Sequence, residues 1–179
     1  MSNTLQRVVI TGGPGSGKSS LLNALNKKGF PTLIEAGRAI IKDQTLIGGN
    51  ALPWGDQRAF SELMLNWELR SWHEASNYNG LFFFDRGIPD IAGYLNLNHL
   101  SISEHLIKAI EIFRYIETVF IIPPWNDIYL QDSERKQSFK EAELTYYAMK
   151  EAYQYYGYDL IKIPCLSIEE RANFVLSQF

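Results

Sequence analysis

The sequence predicts an α/β domain built on a five-stranded parallel sheet with helices covering both faces. Three observations predict it. Short apolar, β-branched or aromatic runs alternate along the chain with stretches of helical spacing, the pattern of strands joined by right-handed crossovers. One of the runs, Leu81-Phe82-Phe83-Phe84, has no polar alternation, so both of its faces must be covered. A glycine-rich loop lies between the first strand and the first helix. At 179 residues, with no internal repeat, low-complexity tract or linker, the chain reads as a single domain spanning 1–179.

The elements follow in order. Arg7–Thr11 is a β-branched strand. After the glycine loop, Ser19–Lys28 is helical through Leu21, Leu22 and Leu25, and it is closed by Gly29 with Pro31 beyond. Thr32–Ile34 is the second strand, and a helix follows from Gly37 to about Gln44. Gly48–Gly55 is a loop on composition. Asp56 caps a long helix running toward Asn77, with Phe60, Leu63, Met64, Trp67 and Leu69 near helical spacing. Leu81–Phe84 is the third strand. Helical spacing resumes over Ser103–Phe113. Thr118–Ile122 is the fourth strand, stopped by Pro123-Pro124. A charged stretch, Asp127–Lys140, leads into a helix ending at Gly157. Asp159–Ile163 is the fifth strand, and Ser167-Ile168-Glu169-Glu170 has the form of a capping box opening the last helix.

Composition narrows the function classes. With 17 basic against 20 acidic residues, the formal net charge is −3, which argues against a general nucleic-acid binder. A hydrophobic share of 46% with 21% charged residues is globular. No apolar run approaches the roughly 18 residues of a membrane span, and the N-terminus lacks a signal-peptide core. A cytoplasmic protein with no membrane partner is the expectation. Cys165 is the single cysteine, so neither an internal disulfide framework nor a multi-cysteine zinc site is available.

Gly12-Gly13-Pro14-Gly15-Ser16-Gly17-Lys18-Ser19 fits G-x-x-x-x-G-K-[ST] in full. The glycines admit positive φ and let backbone N–H groups face a polyphosphate, and the following helix adds its positive end. Lys18 would bridge the outer phosphates, the Ser19 hydroxyl would ligate Mg²⁺, and Ser20 would reach an inner phosphate. The preceding strand and following helix supply the required context. The glycines do not fall in G-x-G-x-x-G register, and a lysine has no role there, which disfavours a dinucleotide site.

A nucleotide-binding loop of this kind needs a carboxylate at a neighbouring strand end, near the magnesium. Phe84-Asp85 supplies it. Many hydrolytic ATPases follow that Asp with a Glu that polarises water; here Arg86 follows. Arginine cannot act as a base but holds phosphate or carboxylate well. That favours phosphoryl transfer onto a bound acceptor over a mechanical ATPase. Glu35 ends the second strand, so Glu35 and Asp85 would flank the transferred phosphoryl group, one binding Mg²⁺ and the other accepting the acceptor's proton. Arg38, one helical turn on, would contact acceptor or phosphate, or simply pair with Glu35 on the surface. Arg135 and Lys136 lie in a polar segment after Pro123-Pro124-Trp125 that reads as a closing lid, at about 124–140.

Other signals are weak. His73, His99 and His105 lack metal-ligand spacing. Cys165 reads as a small buried residue. No N-K-x-D motif is present, which weakens a GTPase reading. Most of Trp54, Phe60, Trp67, Trp72 and Tyr94 read as core, with one or two available to stack on an aromatic acceptor. Tyr146, Tyr147, Tyr153, Tyr155 and Tyr156 crowd one helix without a functional pattern.

The glycine loop, Ile34-Glu35-Ala36-Gly37-Arg38, Phe84-Asp85-Arg86-Gly87-Ile88-Pro89-Asp90, Pro123-Pro124-Trp125, the Asp132–Lys136 stretch and Ser167-Ile168-Glu169-Glu170-Arg171 fall in a familiar order. Together they resemble the small bacterial P-loop ATPases of the AAA-like domain family, a group that also includes the ribosylnicotinamide kinase domain of bacterial NAD regulators. The resemblance implies a nucleoside-kinase-like P-loop fold, three layers α/β/α, with strand order 2-3-1-4-5 and a lid after the fourth strand. It implies that Lys18 and Ser19 carry ATP and Mg²⁺ and that Arg135 belongs to the lid. The chain has no counterpart of the second helical domain of ring-forming AAA machines. Taken with the residue reading, the expectation is Mg²⁺-dependent phosphoryl transfer from ATP to a small, nucleoside-like acceptor. The alternatives are an ATPase switch completed by a protein partner, or a nucleotide sensor without turnover.

Overall fold

The computed structural model describes residues 4–126 and 138–179. Its five strands are β1 (Gln6–Gly12), β2 (Thr32–Leu33), β3 (Leu81–Asp85), β4 (Thr118–Ile122) and β5 (Asp159–Lys162). All pair in parallel, in the order β2-β3-β1-β4-β5. This is the order the resemblance implied. The central strands explain their own composition: Val8, Val9 and Ile10 are fully buried, and Phe82, Phe83 and Phe84 nearly so. Each such side chain contributes about 1.5–3 kcal/mol of burial, on both faces at once, so polar alternation is not tolerated.

Helices α1 (Lys18–Lys27), α2 (Ala36–Ile47), α3 (Gln57–Glu74), α4 (Ile88–Leu97), α5 (Glu104–Ile112), α6 (Phe139–Tyr155) and α7 (Ile168–Leu176) complete the layers. One apolar cluster gathers Phe82, Phe84, Ile88, Ile91, Leu106 and Tyr153 on one face of the sheet. Another gathers Leu21, Leu25, Phe83, Phe120, Ala172 and Val175 on the other. The predicted caps form. The Asp56 carboxylate accepts from the backbone N–H of Arg58 and Ala59 at 3.1 and 2.9 Å. Ser167 and Glu170 make the capping box of α7.

Differences from expectation are local, with one exception. The second strand stops at Leu33, so Glu35 is the N-cap of α2 rather than a strand end. Cys165 is exposed, not buried, because Pro164 carries the chain out past β5. Trp54 is also exposed. The exception is α4, which periodicity did not reveal. Every residue of Ile88-Pro89-Asp90-Ile91-Ala92-Gly93 is buried, so the first part of the helix has no polar face to generate a period. Pro89 sits in its first turn, where its missing N–H costs nothing.

Candidate active site

Register brings the chemistry together. Ile10 pairs with Asp85 on one side and Phe120 on the other, and Gly12 pairs with Ile122. The last residues of β1, β3 and β4 therefore finish at one edge, where the glycine loop departs. The loop is closed on itself: the Ser16 hydroxyl donates to the Gly13 carbonyl at 2.9 Å. Gly17 is the N-cap of α1 at φ 88°, a left-handed conformation that favours glycine. At Gly13 a Cβ would stand 2.4 Å from the Ala142 carbonyl oxygen, so α6 presses directly on the loop backbone.

Lys18 is buried, and its ammonium donates to the carbonyls of Gly13 (3.0 Å) and Gly12 (3.3 Å). Burial, helped by the neighbouring Arg86 charge, brings its pKa down to about 8 against the pull of Asp85, Glu35 and Asp90. An added anion would find this cation short of counter-charge. Ser19 and Ser20 are exposed on the first turn of α1, and Pro14 and Gly15 are half-buried on the loop crest. Arg171, buried on α7, donates to the Ser16 carbonyl at 3.3 Å and steadies the loop from behind.

Across from the loop, Arg86 occupies a left-handed backbone conformation at φ 73°. Its N–H donates to the Ile10 carbonyl at 3.0 Å. Its guanidinium is shared between two carboxylates, Nε to Glu35 Oε1 and Nη1 to Asp90 Oδ1, both at 3.1 Å. Burial alone would raise the Glu35 carboxyl, but the charges of Arg86, Lys18 and Arg38 together with the Arg86 hydrogen bond bring it down to about 2. Glu35 is therefore ionised throughout the physiological range, with its side chain 22% exposed. Arg38 is largely exposed, with its Nε 3.7 Å from Glu35 Oε2. The surface ion pair weighed for it does exist, as a minor partner of a carboxylate that Arg86 already holds.

Asp85 is different. It is 5% exposed, and its Oδ1 has no hydrogen-bond partner among the described residues. Burial raises its carboxyl to about 6, with Lys18 opposing and Glu35 reinforcing. An orphaned buried carboxylate oxygen beside the loop lysine fits a hard cation, and the exposed Ser19 hydroxyl at the start of α1 is of the type that completes such a site. The described residues hold no cluster of three or more His, Cys, Asp or Glu able to bind a metal alone.

The structure thus assembles Lys18, Glu35, Asp85 and Arg86, with Arg38 at the margin. Arg135 and Lys136, and most of the expected lid, lie outside the described residues. Two groups at this site had no role in the sequence reading, although Asp90 stands in a segment that carries the resemblance. Asp90 opens the helix that periodicity hid. Glu68, buried on α3, has a carboxyl pushed well above the ordinary range by burial and then by Asp90 and Asp85. A glutamate interrupting the apolar face of Phe60, Leu65 and Trp72 was the available signal.

A parallel sheet of this order, with a phosphate loop after its first strand and acidic side chains at the neighbouring strand ends, defines a P-loop domain of the nucleoside-kinase architecture. The chain belongs to the AAA domain family, whose profile matches residues 7–171. Solved structures agree on the fold. The deoxyadenosine kinase of M. mycoides, solved with dCMP and dCDP, superposes with a TM-score of 0.70 at 14% identity, covering 97% of this chain and 98% of that one. NadR in complex with NR superposes at 0.62 with 16% identity over 97% of this chain and 51% of NadR. Shikimate kinase from Acinetobacter baumannii, bound to shikimate, gives 0.54 at 15% identity over 98% and 93%. A search of curated proteins gives no match. No helix among the described residues is long and apolar enough to cross a membrane.

Proposed function

We propose that the protein transfers the γ-phosphoryl group of ATP, with Mg²⁺, to a hydroxyl of a small nucleoside-like acceptor. The observation that carries this reading is the residue after Asp85. Where a water-activating carboxylate would be needed for hydrolysis stands Arg86, pinned between Glu35 and Asp90. The carboxylate that Arg86 holds from the start of α2 is Glu35, which would face the acceptor.

The backbone N–H groups of Gly13 and Gly15 to Ser20, together with the Lys18 ammonium, would hold the triphosphate. Ser19 and Asp85 would hold the magnesium, which supplies charge neutralisation between the phosphates when bound. Glu35, ionised and fixed by Arg86, would orient the acceptor hydroxyl for in-line attack, leaving Asp85 as the metal-side carboxylate. The new P–O bond forms as the bond to ADP breaks, and the hydroxyl proton leaves to a carboxylate as the charge develops. Positioning and electrostatics do most of this work.

Glu35, Asp85 and Asp90 all act on the Arg86 guanidinium, with Glu68 buried near them in its neutral form, so ionised carboxylates outnumber the arginine around Glu35. That supports an uncharged acceptor over an anionic one. Fold likeness to nucleoside kinases over nearly the full length supports the same class. A nucleotide-dependent switch, completed by a protein partner, is the second reading, favoured by the AAA domain description of the family. Incubation with Mg-ATP and a panel of nucleosides, sugars and vitamins separates the two. The transferase reading expects ADP release that depends on one acceptor class. Hydrolysis that no acceptor alters, but that a protein partner stimulates, supports the switch.

A further inference from the structure

Asp90 is the most heavily bonded side chain at the site, and nothing in the proposed chemistry uses it directly. Its Oδ1 accepts from the Thr11 hydroxyl at 2.5 Å and from Arg86 Nη1 at 3.1 Å. Its Oδ2 accepts from the Gly87 N–H at 2.9 Å and from the Tyr153 hydroxyl at 2.6 Å. Thr11 and Tyr153 are fully buried, and Asp90 is 5% exposed. The donors come from four places in the fold: the end of β1 next to the phosphate loop, the residue after β3, the backbone ahead of α4, and the last turn of α6.

The geometry makes a continuous chain. Tyr153 fixes Asp90, Asp90 fixes one edge of the Arg86 guanidinium, and the other edge fixes Glu35. Thr11 ties the same carboxylate to the residue immediately before Gly12. α6, which supplies Tyr153, also presses its Ala142 carbonyl on Gly13. One helix therefore braces both the donor loop and the acceptor carboxylate. A flexible arginine between a single pair of partners samples many rotamers; held at both edges it keeps one. Burial keeps the Tyr153 hydroxyl protonated, its pKa pushed well above the usual value by burial and by Asp90 itself, so it stays a donor.

We propose that Asp90 and Tyr153 are positioning residues that act through Arg86 to set the place of Glu35 relative to the phosphate loop. The proposal rests on the reading of Glu35 as the group that orients the acceptor. It also accounts for one tyrosine of the crowded helix: Tyr153 is fully buried while Tyr155, two residues on, is 83% exposed.

The test is a double-mutant cycle in thermal stability, Tyr153→Phe against Glu35→Gln, which requires no turnover. Among the described residues Tyr153 and Glu35 share no direct hydrogen-bond partner, and Asp90 and Arg86 link them. Independent sites add. A working chain makes the double variant lose less than the sum of the singles, by about 2 °C or more in Tm. Additive losses overturn the proposal. With an accepted substrate, Tyr153→Phe should lower kcat by about tenfold or more while KM for ATP stays within about twofold; an unchanged kcat also overturns it. If Tyr153→Phe does not fold, Thr11→Val removes another donor to Asp90 and enters the same cycle. A coupled cycle in a protein that phosphorylates no acceptor keeps the chain of contacts and removes the transferase reading, so the two failures are distinguishable.

Discussion

Replacing Asp85 with Asn should make the protein more stable and inactive. The side chain is 5% exposed, its Oδ1 has no partner among the described residues, and its carboxyl titrates at about 6 in the fold against an ordinary 3.8. The sign follows from linkage. Below the unfolded value the group is protonated in both states and the charge costs nothing. Above the folded value it is ionised in both, and the full penalty of burying it applies. The rise from 3.8 to about 6 corresponds to about 3 kcal/mol at pH 8 and roughly half of that at pH 5. For a chain of this size that is roughly 6–12 °C in Tm at pH 8. Thermal unfolding of the wild type and Asp85→Asn, without nucleotide or Mg²⁺, at pH 5 and pH 8 measures it. The reasoning fails if the variant is the less stable protein at pH 8, or if the gap is the same at both pH values. Loss of acceptor phosphorylation in the same variant would mark Asp85 as a residue whose stability is given up for function.

Further outcomes follow from the same geometry. Lys18 titrates at about 8, so KM for ATP should rise as pH passes about 8 and the loop cation is lost; a flat profile from pH 7 to 9 contradicts this. Glu68 is forced toward its neutral form by burial, so the wild type loses stability as rising pH ionises the group in the unfolded chain while the fold keeps it protonated. Glu68→Gln should therefore gain on the wild type as pH increases, read by denaturant midpoints across pH 6–9. Gly13→Ala places a Cβ 2.4 Å from the Ala142 carbonyl, and should cost about 1–3 kcal/mol and weaken binding of a fluorescent ATP analogue. Neutral nucleosides should be turned over in preference to nucleoside monophosphates, because ionised carboxylates outnumber the arginine around Glu35; a kcat/KM ratio the other way refutes the charge argument.

Much of the fold was legible because the sheet is buried on both sides. Strands that must be apolar throughout, separated by capped helices, announce themselves, and the Asp56 and Ser167 caps form as their residue types require. The glycine loop was legible because each of its positions answers to backbone geometry. α4 was not, since a helix buried on every side over its first six residues carries no amphipathic period there. The role of Asp90 was hidden with it. The Glu35–Arg86 bond joins residues 51 apart, and no local pattern encodes a contact that exists only once β2 and β3 are side by side. Tyr153 differs from its neighbours only in burial, which depends on where α6 packs. Cys165 followed its chemistry toward the interior in expectation, while Pro164 turned the chain outward.

The central claim is transfer to an acceptor, and the most direct measurement is mass spectrometry of candidate acceptors after incubation with Mg-ATP, alongside ADP and free phosphate. The account predicts a nucleoside-like acceptor gaining one phosphoryl group for each ADP formed, with little free phosphate, and loss of that product in Lys18→Ala. Free phosphate matching ADP whatever acceptor is present, or product formation unchanged in Lys18→Ala, would contradict it.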